Sequence, residues 1–307
     1  MIHEVIVTND FGESLELVLT DPQPSGLIVK SIDGLGPSKA TINTTQLASS
    51  DGSVYNSARK EQKNIVFNFL YLEDSETKLV ETSRLKTYKY FPLKKLVTLT
   101  FVMDHRIAEI QGYVESNEAT IFDQQSGCQI SIVCPTPFFT TSDRSMNLNG
   151  VESYFEFPFS NESLTENLIN LGELVYATGT EYYYDGDAET GIYIVIHATG
   201  AVTNFSIYNS VTRNKMDFDT SKIAAVTKDG INNLTTGDTL EISTVVGNKF
   251  VRLTRAGKEY NVMAMLPKNE IDWLTVRKGA NVFGYTAESG GADLQISIQT
   301  RILYEGV

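Results

Sequence analysis

Apolar and polar residues alternate with a period of two along most of this chain, the pattern of strands with one buried face. The clearest case is Ile65, Phe67, Phe69 and Tyr71, which alternate with Val66, Asn68 and Leu70 and give that strand one strongly aromatic face. Glu4–Thr8 and Ser14–Leu19 flank Asn9-Asp-Phe-Gly12, which predicts a hairpin. Further strands are expected at Leu27–Ile32, Ala40–Leu47, Leu96–Met103, Arg106–Glu115 and Gly127–Cys134. One helix is expected over Ser75–Tyr90. Ser75 caps it, Leu79, Val80, Leu85 and Tyr88 form its apolar stripe, and Glu76, Lys78, Glu81 and Lys86 form its charged face.

Pro135-Thr-Pro137 removes ladder donors and halts the first run of strands, so a first domain is expected at 1–138 and a second at 139–307. The second half is also β-patterned, at Ser153–Phe159, Tyr182–Tyr184, Ile192–His197, Asn204–Tyr208, Lys215–Phe218, Thr239–Ser243, Phe250–Thr254 and Asp293–Tyr304. Turn signals such as Asp185-Gly186, Asp229-Gly230 and Val246-Gly247-Asn248 separate these runs, a spacing that predicts a β-sandwich. Directly before the aromatic strand lies Ser49–Gln62, small, polar and charged, with Asp51-Gly52 as a turn signal. Such a wet, extended segment has no place in a core.

Charge narrows the function. The 307 residues carry a net charge of −13, which argues against binding nucleic acid by phosphate neutralisation. It is compatible with a passage through which DNA slides, because an acidic wall prevents sticking. No apolar run is long enough for a transmembrane helix, and Met1–Val7 reads as a strand rather than a leader peptide. The two cysteines, Cys128 and Cys134, share one face of one strand, too far apart to bridge, and are expected as free buried thiols.

Chemistry-bearing motifs are missing. His3, His105 and His197 are scattered, and neither metal-ligand spacings nor nucleophile or phosphate-loop signatures occur. Asp33-Gly-Leu-Gly36 reads as a turn. In Tyr184–Gly191 the carboxylates Asp185, Asp187 and Glu189 alternate like calcium-loop ligands. Thr190 and Ile196 break that template at its sixth and twelfth positions, which leaves a solvated hairpin tip. The chain is read as a non-enzyme without cofactor or metal. Aromatic residues keep one other class open, a carbohydrate-binding module for host-surface attachment, with Trp273, Tyr182, Tyr183 and Tyr184 as candidate sugar contacts. Trp273 shares a face with Ile271 in a possible strand, which suits a core as well.

One family unites these observations. Ile32-Asp-Gly-Leu-Gly-Pro37, Ser50-Asp-Gly-Ser-Val-Tyr55, Arg59 through Asn64-Ile-Val66, and a helix with Arg84 and Tyr88-Lys-Tyr-Phe91 follow one another. Gln111-Gly-Tyr-Val-Glu115 and Gln129–Phe138 complete the first half; Gly237–Ser243, Leu274–Asn281 and Tyr304–Val307 mark the second. In this order and spacing the chain resembles, over nearly its whole length, the distal tail (Dit) family of long-tailed phages of Gram-positive bacteria. The resemblance implies a mainly β protein. Its N-terminal domain would be a tail-tube-like β-barrel or sandwich with one helix, and its C-terminal domain a galectin-like sandwich.

It further implies a virion structural protein at the distal end of the tail. A homohexameric ring would surround a DNA channel and join the tail-tube protein to the tail-tip protein, with receptor-binding proteins as further partners and no membrane insertion. The galectin sugar motif is missing, so the resemblance there is one of fold. On this reading the wet segment lies on a neighbouring subunit. Ser50, Asp51, Gly52, Ser53, Val54 and Tyr55 would form the contact, and Arg59, Lys60 and Lys63 would pair with acidic groups across it.

Overall fold

The structure is a computed structural model that describes residues 1–48, 51–120, 125–141, 143–152, 173–176, 179–268 and 271–307. It forms two compact units, Met1–Ser142 with Leu303–Val307, and Asp143–Ile302. The expected strand at Ser153–Phe159 lies outside the described residues.

In the first unit, β1 (Ile2–Thr8), β2 (Ser14–Val18), β3 (Leu27–Asp33), β6 (Lys63–Tyr71), β7 (Leu96–Met103), β8 (Ile107–Thr120) and β9 (Gly127–Cys134) form one antiparallel sheet, while β4 (Ala40–Gln46) and β5 (Ser53–Lys60) stand apart from it. The order is β2-β1-β7-β8-β9-β6-β3. Period-two alternation sends one side of every strand into one cluster: Val5 and Val7, Leu15 and Leu17, Ile65, Phe67 and Phe69, Val97, Leu99 and Phe101, Ile130 and Ile132. The aromatic face of β6 is the centre of that core, with Phe67 and Phe69 stacked at 5.4 Å and Phe91 tilted against both. Cys128 and Cys134 are free and buried on the same side, and burial pushes the Cys134 thiol up to about 11.

The proline pair does not end the unit. Phe139–Thr140 continues as β10, pairing with β8 and with Leu303–Tyr304, and Phe139 meets Phe101 edge-on at 5.6 Å. The chain's last residues thus return to the first unit.

The helix differs most from its pattern. It runs over α1 (Val80–Tyr90), starting later than Ser75. Asp74 organises the preceding turn instead: its carboxylate accepts from the amides of Glu76 and Thr77, and Lys78 sits at φ 57°, a left-handed conformation no α-helix contains. The face that packs inward is hydroxylic, with Ser83 and Thr87 fully buried. The expected apolar stripe looks outward, with Leu79 58%, Leu85 53% and Tyr88 45% exposed. The cause is close approach. Gly26 lies so near Ser83 that a β-carbon there would collide with the hydroxyl, and a leucine at 83 has no room. Lys86 fixes the rotation through Asp74 at 2.6 Å and the Ser25 carbonyl.

The second unit contains a sheet of β11 (Arg144–Asn147), β16 (Tyr193–Ala198), β19 (Thr239–Ser243), β20 (Phe250–Arg255), β21 (Lys258–Asn261) and β24 (Leu294–Thr300), in the order β11-β24-β16-β19-β20-β21. A second sheet orders β14 (Thr180–Tyr184), β23 (Gly279–Ser289), β17 (Thr203–Asn209) and β18 (Asn214–Phe218). Short pairs join β12 (Asn149–Glu152) to β13 (Glu173–Tyr176) and β15 (Thr190–Gly191) to β22 (Thr275–Val276). Ile194, Ile196, Leu240, Ile242, Val251, Leu253, Ile296 and Ile298 bury one face of the larger sheet. A five-residue helix, α2 (Ile223–Thr227), carries no periodic signal long enough to read from sequence.

Candidate assembly surface

Within the wet segment, Ser53–Lys60 folds as one strand of a hairpin. β4 and β5 pair only with each other, and every residue of β5 is exposed. Gly52 takes φ 91° in the connection; Ser50 lies outside the described residues. The two faces differ. Ile42 opposes Ala58, and Thr44 opposes Tyr55, so Ile42, Tyr55 and Ala58 share one apolar face. A bulge at Asn56 separates the two halves of β5, and the other face carries Thr41, Asn43, Thr45, Ser57 and Arg59 together with Val54. There Asn43 donates to the Ser57 hydroxyl at 3.0 Å, and Asn56 donates to that of Thr45 at 2.6 Å. Ser53 and Val54 lie near the tip and Arg59 near the base, all exposed.

Two of the three expected interface cations belong elsewhere. Lys63 is 2% exposed and points into its own unit. It donates to the Gly36 carbonyl and to the Glu305 carbonyl at 3.0 Å, and it lies over the Phe139 ring at 4.7 Å. Burial depresses its pKa, because the charged form loses water. Lys63 therefore acts within its own unit, tying the Gly36 and Glu305 carbonyls together. Lys60 pairs with the Glu305 carboxylate of its own chain. Arg106 adds to these ties, donating to the Gly306 carbonyl at 2.9 Å and stacking on Tyr304. No local signal in the sequence links residues 63 and 106 to residues 304–306; only the fold brings them together.

The face of the large sheet turned away from the core is acidic. Glu4, Glu16, Asp33, Glu109, Glu115 and Glu118 lie on it among neutral side chains, polar ones such as Thr98, Thr100 and Gln111 and apolar ones such as Val66, Ile107 and Tyr113. Apart from Lys30 at the β3 bulge, the seven strands put no lysine or arginine there. The Ser131 hydroxyl lies between two acceptors of this surface, a Glu115 carboxylate oxygen at 2.9 Å and the Asn64 amide oxygen at 3.0 Å, and donates to one of them at a time.

The aromatic candidates for sugar contact do not form a platform. Tyr184 is fully buried and donates to the Ala188 carbonyl at 2.9 Å; Tyr182 is buried on the same side of β14. Of the three tyrosines only Tyr183 faces outward. Trp273 is half-buried outside any strand, with the Lys249 ammonium over its ring at 4.8 Å. In the carboxylate-rich hairpin tip, Asp187 pairs with Lys278 at 2.9 Å and Asp185 with Arg144 at 3.5 Å. A cleft of about 420 Å³ on the second unit, lined by Asn204, Ser206, Asp217, Asp219 and Glu288, includes none of these aromatics.

No family model and no curated protein matches the sequence. Solved structures do match. The crystal structure of the SPP1 Dit (gp 19.1) protein, described as a paradigm of the hub adsorption apparatus in phages infecting Gram-positive bacteria, aligns over 97% of this chain and 99% of its own, at 13% identity and a TM-score of 0.63. The chain has the Dit fold. Two activated-conformation structures of the phage P2 baseplate, with Ca and with Sr, align over 97% of this chain and 98% and 97% of theirs, at 13% and 12% identity and TM-scores of 0.47 and 0.45. In the Dit fold of this chain, the described residues of the first unit leave the β4–β5 hairpin, the outer side of α1 and the acidic sheet face uncovered.

Proposed function

We propose that this protein is a structural hub of a phage tail, a ring at the distal end of the virion that joins the tail-tube protein to the tail-tip protein and carries receptor-binding proteins. The observation that carries this reading is the alignment with the SPP1 Dit protein over both chains almost entirely, at a TM-score of 0.63. A hairpin without a buried residue in its outer strand supports it, since such a hairpin is marginal in water until another surface covers it. Six copies close the ring, with each hairpin reaching its neighbour through a heterologous contact. The first unit makes the ring, and the second forms its galectin-like periphery.

The acidic sheet face is the channel wall. Carboxylates spaced among neutral groups repel phosphate without trapping it, so DNA slides past without specific binding. No catalytic step enters this function. A ring structure with cations in place of Glu109, Glu115 and Glu118 along the lumen would overturn the wall assignment.

The ring itself is tested by light scattering and negative-stain imaging of the purified chain. Particles near six times the 34.0 kDa chain mass, with a central hole, are expected. Deleting residues 53–58 together with residues 42–46, which keeps Lys60 on Glu305, should leave the melting temperature within a few degrees and abolish the rings, because the deleted residues of β5 are all exposed. Rings that survive the deletion would rule out the arm.

A further inference from the structure

The direction of the β4–β5 hairpin is set at its root. β3 and β6 stop pairing at Asp33 opposite Val66, and β4 and β5 resume at Ala40 opposite Lys60. The joint between the two ladders is residues 34–39 on one leg and 61–62 on the other, because β6 already pairs with β9 from Lys63 onward. Gly36 gives that joint room to turn, since a β-carbon there would touch nothing within 4 Å. Residues 303–307 lie across both legs. The Val307 amide donates to the Leu35 carbonyl at 3.1 Å, and a β-carbon on Gly306 would come within 2.9 Å of that same oxygen. On the other leg, Lys60 lies over the Phe138 ring at 4.7 Å and pairs with the Glu305 carboxylate. Lys63 joins the two legs, donating to the Gly36 carbonyl and to that of Glu305 at 3.0 Å.

We infer that residues 303–307 form a strap that fixes the direction of the β4–β5 hairpin, and that lifting the strap lets the hairpin swing about residues 34–39 and 61–62 while the large sheet stays folded. The inference concerns a single chain and does not rest on the ring. Each contact is weak alone, but together they close one bend from both sides, so the strap acts as a unit. The hairpin is suited to swing as a rigid piece. Its own ladder is continuous from Ala40–Lys60 to Gln46–Ser53 apart from the bulge, and it pairs with no other strand. The sheet is suited to stay behind, because β6 keeps its partners β3 and β9 whichever way the hairpin points. Arg106 anchors the strap from outside the joint, through the Gly306 carbonyl at 2.9 Å and the Tyr304 ring at 4.3 Å.

Single-molecule energy transfer on the full chain tests the strap. Dyes are placed through Tyr55→Cys on the hairpin and Glu16→Cys on β2, both exposed, while Cys128 and Cys134 are buried and silent. Gly306→Val is the lifting variant, because its side chain collides with the Leu35 carbonyl and touches nothing in the sheet core. One narrow transfer efficiency is expected with the strap seated, and a shifted or broadened one in Gly306→Val. Hydrogen exchange at the Glu61 amide, which donates to the Lys39 carbonyl across the joint, should quicken about tenfold or more, with the β6–β9 amides unchanged. Glu305→Gln with Lys60→Gln removes the ion pair without any collision and should move both readouts the same way by less. This second variant decides the matter if Gly306→Val also loosens the β6–β9 amides. Unchanged transfer and unchanged exchange in a folded variant would overturn the strap and leave the hub reading as it stands.

Discussion

Replacing Arg255 with alanine is expected to cost the second unit roughly 3–5 kcal/mol, the penalty for stranding a buried charge. Arg255 ends β20 with its guanidinium buried, donating to both oxygens of Asp238 at 2.6–3.1 Å, to Asp229 at 2.8 Å and to the Asn233 carbonyl at 2.7 Å. Asp238 is itself 2% exposed, so the substitution leaves a carboxylate with neither water nor counter-charge. Thermal unfolding should shift down by about 2–4 °C for each kcal/mol lost. Acid adds a second readout. The Arg255 guanidinium, first among its partners, holds the Asp229 carboxyl down at about 2. A carboxyl depressed in the folded state contributes stability above its unfolded pKa, near 4, and loses it as pH falls toward 2. The wild-type chain should therefore lose stability across that window, and Arg255→Ala should lose less. Replacing Arg255 and Asp238 together with apolar residues should recover part of the loss. A single-variant cost below about 1 kcal/mol would mean that water reaches the cluster.

Phe67→Ala is expected to destabilise the first unit by about 3–5 kcal/mol, the usual range for deleting a buried ring. Phe67 is fully buried between Phe69 and Phe91, at 5.4 and 6.0 Å, where no neighbour can collapse into the space without breaking the strand register. Leu85→Ala on α1 is the control, an equally apolar residue whose removal from the isolated chain should change stability by about 0.5 kcal/mol or less. Urea unfolding of both variants decides the matter. Comparable losses would mean that α1 turns its apolar stripe inward after all.

That pair shows where the pattern of the chain misleads. Phe67 and Leu85 both look like core in sequence, and only one is. Along a strand, alternation has two faces to choose from, and the aromatic face of β6 had one place to go. On a short helix, four apolar residues at imperfect spacing do not determine which side meets the sheet. The contact was decided by Gly26 and Ser83, small groups that permit close approach and are 57 residues apart in the chain. The same holds for Lys63. It reads as one more charge beside a wet segment, and the carbonyls that bury it come from residue 36 and residue 305. Arg255 and Asp238 likewise meet through a loop whose closure no local signal announces.

By itself, the sequence determined the class of fold, most strand positions, the aromatic core of the first unit and the buried thiols, because a two-residue period and breaker residues act locally. It also determined the acidic character of the chain. Tertiary structure alone decided which face of α1 packs, that Lys63 and Lys60 act within their own chain, that the last residues return to the first unit, and that six carboxylates gather on one face of the sheet. These depend on close approach, burial and strand order, quantities set by contacts between residues far apart in the chain, and no local pattern encodes them.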